Sequence, residues 1–146
     1  MTAGLRLFFR IVDSAMLLYW AASFAACLGL VTLPAAAMYD GYGTQMVDAW
    51  NWSFLPLDIA FAMTGLWSVR LHRQQDPRWR GLAIVSLVLT MCAGGMAIAF
   101  WVLAGDFNWS WWLPNLILLL LPLLWLPRLL ASNDEGRPSE STGQVQ

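Results

Sequence analysis

Arg70-Leu71-His72-Arg73-Gln74-Gln75-Asp76-Pro77-Arg78-Trp79-Arg80 holds four of the eight arginines in a chain that has no lysine. Outward from it, Arg6 and Arg10 precede the first apolar run, and Arg128 and Arg137 follow the last. Basic residues beside membrane spans stay on the cytoplasmic side. Three basic groups separated by two pairs of apolar runs therefore predict four transmembrane helices with both termini inside. The connections expected outside, Pro34 to Trp50 and Gly105-Asp106-Phe107-Asn108, carry no positive charge.

Composition sets the same class. A chain of 146 residues that is 59% apolar and 12% charged, with ten tryptophans, has too little polar surface for a soluble globule. No basic field suits nucleic acid. Crossing a hydrocarbon core of about 30 Å takes about 20 helical residues, and runs near 12–33, 51–70, 81–104 and 109–130 supply them. The expected fold is all-α: a four-helix transmembrane bundle, N-in and C-in, with short loops, spanning residues 1–130 and lying in the inner (plasma) membrane. Residues 131–146, rich in Ser, Glu, Gly, Pro and Gln, cannot bury enough surface to order themselves and are expected to form a disordered cytoplasmic tail. A signal peptide is the competing reading of the first run, with Pro34-Ala35-Ala36-Ala37 as a small-residue cleavage site; the run from Ala15 to Leu33 exceeds the roughly 7 to 15 apolar residues of such signals and favours a span.

Tryptophans mark the two interfaces. Trp50, Trp52, Trp101, Trp109, Trp111 and Trp112 map to the exterior side, Trp67, Trp79 and Trp125 to the cytoplasmic side, and Trp20 falls between. The exterior excess coincides with a repeat. Span two opens Asn51-Trp52-Ser53-Phe54-Leu55-Pro56-Leu57-Asp58, and span four opens Asn108-Trp109-Ser110-Trp111-Trp112-Leu113-Pro114-Asn115. Ser53 is expected as an N-cap that places Pro56 where a missing N–H costs little, and Pro114 as a kink. The pattern suggests two hairpins related by a rough two-fold axis along the membrane normal. Both Asn-Trp-Ser triplets match the glycosylation sequon but lie too near the bilayer for that use.

Asp58 is the main candidate site residue. It lies six residues inward from Trp52, about 9 Å at helical rise, where an ionised carboxylate costs about 2.5 to 3.5 kcal/mol or more. All eight arginines sit at the opposite face, so its partners must be polar groups of other helices. Asn115 starts span four at a similar depth and its amide can donate; Asn51 precedes Asp58 by seven residues, on nearly the same face. Asp58, Asn115 and Asn51, walled by Trp52, Trp101 and Trp112, would form a small outward-facing pocket for an amine, a lipid headgroup or a proton, because aromatic walls suit a cation. The bland alternative is that these groups only hold helices in register.

Other residues read as structural. Asp13 follows Arg10 by three residues, so an ion pair there or with Arg70 explains it. His72 belongs to the arginine-rich loop. Cys27 and Cys92 lack metal-ligand spacing and suit helix packing; neither a metal nor a cofactor is expected. Ala21, Ala25 and Gly29 on span one, with Ala93 and Ala97, and Gly95 and Ala99, on span three, recur every four residues and predict close contacts there. The leucine-rich span four is expected to face lipid. A homodimer through any of these faces stays open.

Ala49-Trp50-Asn51-Trp52-Ser53-Phe54-Leu55-Pro56-Leu57-Asp58, the run Ala97-Ile98-Ala99-Phe100-Trp101 leading to Gly105-Asp106-Phe107, and Trp111-Trp112-Leu113-Pro114-Asn115-Leu116 resemble the YvaD-like family over about residues 5–130. These are small bacterial four-helix membrane proteins of unknown function. The resemblance implies the span count and draws attention to Asp58 and Asn115; it implies no substrate, cofactor or reaction.

Three function classes follow. A non-enzymatic membrane protein that takes a small amphiphile, lipid or partner in the exterior pocket asks least of the sequence. A membrane enzyme on a lipid-soluble substrate, similar to the four-helix sterol isomerase type, needs an acid and a base together, and Asp58 has no second acid at its depth. A proton-linked transporter subunit needs polar groups through both leaflets, where the inner half offers little beyond Tyr19, Thr64, Ser68 and Ser86.

Overall fold

The computed structural model describes residues 1–32, 34 and 41–134. Among the described residues every regular element is helical. Span one comprises α1 (Ala3–Phe8), a π-helical turn Phe9–Asp13 and α2 (Ser14–Cys27); span two comprises α3 (Gln45–Ser53) and α4 (Leu55–Arg73); span three is α5 (Trp79–Ala104). Span four comprises α6 (Trp109–Leu120), a 3₁₀ turn Leu121–Leu124 and α7 (Leu126–Asp134). All four are long and apolar enough to cross a membrane, as a multi-pass helical membrane protein requires.

Local chemistry explains where the helices start and stop. Span one begins at Ala3 rather than near Val12, because Thr2 Oγ1 accepts the Leu5 N–H at 3.3 Å and Leu5, Phe8 and Phe9 are buried. It ends at Cys27 rather than near Leu33. Gly29, at φ +70°, allows the Gly29 and Leu30 N–H groups to bond the Ala26 and Ala25 carbonyls at 3.0 and 2.9 Å, the paired bonds of a Schellman stop. Gly105 closes span three in the same way, through bonds from Gly105 N–H to Val102 and from Asp106 N–H to Trp101.

The Asn-Trp-Ser repeat splits into two roles. In span four Asn108 is the N-cap, its Oδ1 accepting from the Ser110 N–H at 3.0 Å and from Ser110 Oγ at 2.6 Å. In span two the helix already starts at Gln45, so Ser53 is not an N-cap; its hydroxyl donates to the Trp50 carbonyl at 2.6 Å. Phe54 then forms a joint between α3 and α4. Pro56, two residues beyond, has no N–H for the Trp52 carbonyl, so a continuous ladder would break there in any case. Span four accommodates Pro114 within α6 but changes to a 3₁₀ turn at Pro122.

Two buried clusters show the chain running up, down, up and down. Leu5, Phe8, Phe9, Val69, Ala83, Leu87 and Leu129 meet at the end that holds the arginine-rich loop and the N-terminus. Trp20, Phe54, Phe61, Ala62, Ala93 and Ala97 meet toward the other. Span three is central, packed on spans two and four, while span one rests chiefly on span two. The expected small-residue contact on span one is therefore overturned: Ala21 and Gly29 are exposed. On span three Ala93, Gly94 and Ala97 are buried, and a side-chain carbon at Gly94 would stand 2.5 Å from the Asn115 carbonyl oxygen and 2.7 Å from the Leu119 nitrogen. Cys27 and Cys92 are both exposed and free. Helix α7 carries the chain past Ala131 to Asp134, and the rest of the expected tail, residues 135–146, lies outside the described residues.

Candidate functional site

Spans one and four touch at the arginine-rich end, where Phe8 and Trp125 rings lie 5.2 Å apart and Gly4 faces the Trp125 indole. Toward the other end a cavity of about 510 Å³ opens between them, bounded by Val12, Met16 and Tyr19 of span one and by Pro114, Asn115 and Leu118 of span four. Its back wall is Asp58 of span two with Ala93, Ala97 and Trp101 of span three. The small alanines of span three leave this space, and Pro56, by jointing span two, lets α4 begin just above Asp58.

Asp58 is 5% exposed, so its carboxyl group faces protein and cavity rather than bulk water. Its Oδ2 accepts the indole N–H of Trp20 at 3.0 Å. Trp20 fits neither interfacial belt because it is a buried partner for this carboxylate, 1% exposed. The neighbours expected for Asp58 are close but otherwise engaged. Asn51 Oδ1 accepts from the Tyr19 hydroxyl at 2.9 Å, and Asn115 donates to the carbonyl of Trp111, one turn back, at 2.7 Å. Asp58, Asn51 and Asn115 thus border one cavity without bonding one another.

The aromatic wall also differs in part from the expected one. Trp101 is there, set edge-on to Trp50 at 5.6 Å, and Trp50 is stacked on Phe100 at 4.0 Å. Trp111 completes it. Trp52 instead packs on Trp20 and Phe24, and Trp112 lies against Phe107 with its indole N–H on the Asp106 carbonyl at 3.3 Å. Helical spacing accounts for the exchange: one residue turns the direction by about 100° and two by about 200°, so Trp111 reaches the cavity where Trp112 does not, and Trp50 where Trp52 does not.

Asp13 overturns its expected surface ion pair. It is completely buried, and among the described residues neither oxygen has a hydrogen-bond partner. The π-helical turn points both Phe9 and Asp13 inward. Arg10 and Arg70 are exposed. In the sequence, Gly65 with Ser68 three residues on marks room in the middle of span two, but nothing in the sequence pairs that room with Asp13.

The chain matches the family of unknown function DUF5360 over residues 5–136. It is also 38% identical over 138 residues to the uncharacterized protein YvaD of Bacillus subtilis (strain 168), covering 94% of this chain and 98% of that protein. The chain belongs to this family. No solved structure matches it. The DUF5360 match takes in all four spans, both intramembrane acids and the cavity wall, and the resemblance to the YvaD-like family read from the motif ending at Asp58 is thereby met.

Proposed function

We propose that this protein binds a small amphiphile carrying one positive charge in the cavity at Asp58, taking it sideways from the bilayer between spans one and four. The observation that carries this reading is a single buried carboxylate on the wall of a mainly apolar cavity of about 510 Å³, where the other polar side chains, Tyr19, Asn51 and Asn115, are neutral. That volume lies within the roughly 300 to 1,000 Å³ of small-molecule sites. Trp50, Trp101 and Trp111 suit a cation, since the ring faces carry negative potential. With the N-in, C-in orientation expected from the arginines, the cavity belongs to the exterior leaflet of the inner membrane. Among the described residues Asp58 has no second acidic residue on the cavity wall, which favours binding over acid–base chemistry.

Thermal unfolding of the full chain in nanodiscs tests this with a long-chain primary alkylamine and the alcohol of equal length. The amine should stabilise by about 2.7 kcal/mol at 100 times its Kd. Asp58→Asn should abolish that gain while leaving the protein folded and the small effect of the alcohol unchanged. Equal loss of folding in Asp58→Asn and Asp58→Ala, with no discrimination between amine and alcohol in the native chain, would make Asp58 a packing residue.

A further inference from the structure

Asp13 lies outside the cavity wall, fully buried, with both oxygens unpartnered among the described residues. It ends a π-helical turn, and such widened turns recur at functional sites. Across from it on span two is Gly65. A side-chain carbon there would collide with Asp13 Oδ2, Ser86 Oγ and the Phe9 ring, so the carboxyl group and the serine hydroxyl converge on one bare Cα.

The hydroxyl groups around this point have already committed their hydrogens. Ser86 Oγ donates to the Phe61 carbonyl at 2.9 Å, Thr90 Oγ1 to the Ser86 carbonyl at 2.8 Å and Ser68 Oγ to the Gly65 carbonyl at 2.7 Å. A hydroxyl has one hydrogen, so what Ser86 still has to offer Asp13, which meets it at Gly65, is a lone pair. An acceptor of that kind complements an O–H and offers a bare carboxylate nothing. The charged and titratable surroundings are sparse. Arg10 on the same span and Arg70 on span two are exposed; Asp58 is seven residues from Gly65, about 10 Å along the helix; among the described residues spans three and four bring Ser86, Leu121 and Trp125 to this region and no acid or base.

We propose that Asp13, with Ser86 as acceptor, is an intramembrane proton-binding site, distinct from the cavity at Asp58. To release its proton the carboxylate must find donors, and none is within the packed interface, so release requires span one to shift off Gly65. Span one also carries Trp20, seven residues on and on nearly the same face. The shift that frees Asp13 therefore withdraws the indole from Asp58; this coupling, unlike the proton site itself, rests on the cavity reading above.

Infrared spectroscopy of the full chain in nanodiscs, in H₂O and D₂O, tests the site directly. Near neutral pH the exposed carboxylates are ionised, and a C=O band of a protonated carboxyl group should remain. It should persist in Asp58→Asn, vanish in Asp13→Asn and change frequency in Ser86→Ala as its acceptor is lost. A native chain without the band, or a band retained in Asp13→Asn, overturns the proposal. So does a band that disappears on adding sodium at constant pH, which would make this a metal-cation site. Where Asp13→Asn fails to fold, Ser86→Ala decides: an unshifted band overturns the assignment. Amine binding measured in parallel separates failure here from failure of the cavity reading, since Asp13 takes no part in that contact.

Discussion

Two intramembrane acids in this protein solve the same problem differently. Asp58 keeps one oxygen on the Trp20 indole, and Trp20→Phe, which retains most of the ring while deleting the donor, should destabilise by about 1 to 3 kcal/mol because a buried acceptor loses its bond. Asp13 relies on the absence of a side chain opposite it. Gly65→Ala would drive a methyl group into Asp13, Ser86 and Phe9, with an expected cost of about 1 to 3 kcal/mol for overpacking. Gly95→Ala is the internal control, since a carbon there meets only Leu119 Cδ1 at 3.4 Å. Thermal unfolding in one detergent checks both; equal melting temperatures for the two glycine variants would contradict the tight fit at Gly65. Asp58 was legible in the sequence because no arginine shares its depth. Asp13 was not, because Arg10 lies three residues away along the chain, and only the π-helical turn shows that the two side chains point apart.

Helix punctuation decides how these residues are presented. The turn between spans two and three is held by Asp76, which accepts the Arg78 N–H at 2.9 Å and its guanidinium at 2.7 Å. Side-chain and backbone hydrogen bonds from Arg78 hold the Asp76 carboxyl below its ordinary range. A group so shifted stabilises above its unfolded pKa, and that contribution disappears as pH falls through the lower folded value. Protection of the Arg78 amide, its exchange referred to the intrinsic rate at each pH, should therefore fall only in acid, below the usual carboxylate range, and Asp76→Asn should remove that acid dependence. Protection that is lost already near neutral pH would exclude this account. The breaks at Phe54 and at Leu121–Leu124 follow from Pro56 and Pro122, yet the helix lengths were only partly readable. The Gln45–Ser53 segment is polar enough to pass for loop, and a Schellman stop such as Gly29 depends on a φ angle that composition does not reveal.

For the whole molecule, the arginine spacing and four apolar runs were enough to obtain the bundle, whereas the partition of faces was not: Ala21 and Gly29 on span one, which suit close packing, look outward, and span three holds the centre. Sidedness has its own check. With Cys27 and Cys92 replaced by alanine, a cysteine at Thr44 should react with an impermeant reagent on intact cells, and one at Gln74 only after permeabilisation; the reverse pattern would invert the orientation. The wedge between spans one and four, closed at Trp125 and open at Tyr19, has a further consequence. Molecules reaching it arrive from a two-dimensional solvent, where each added methylene raises partitioning by about 0.8 kcal/mol. Across a homologous series of amines, potency reckoned against the aqueous dose should climb with tail length, while potency reckoned against the dose dissolved in the lipid stays nearly flat.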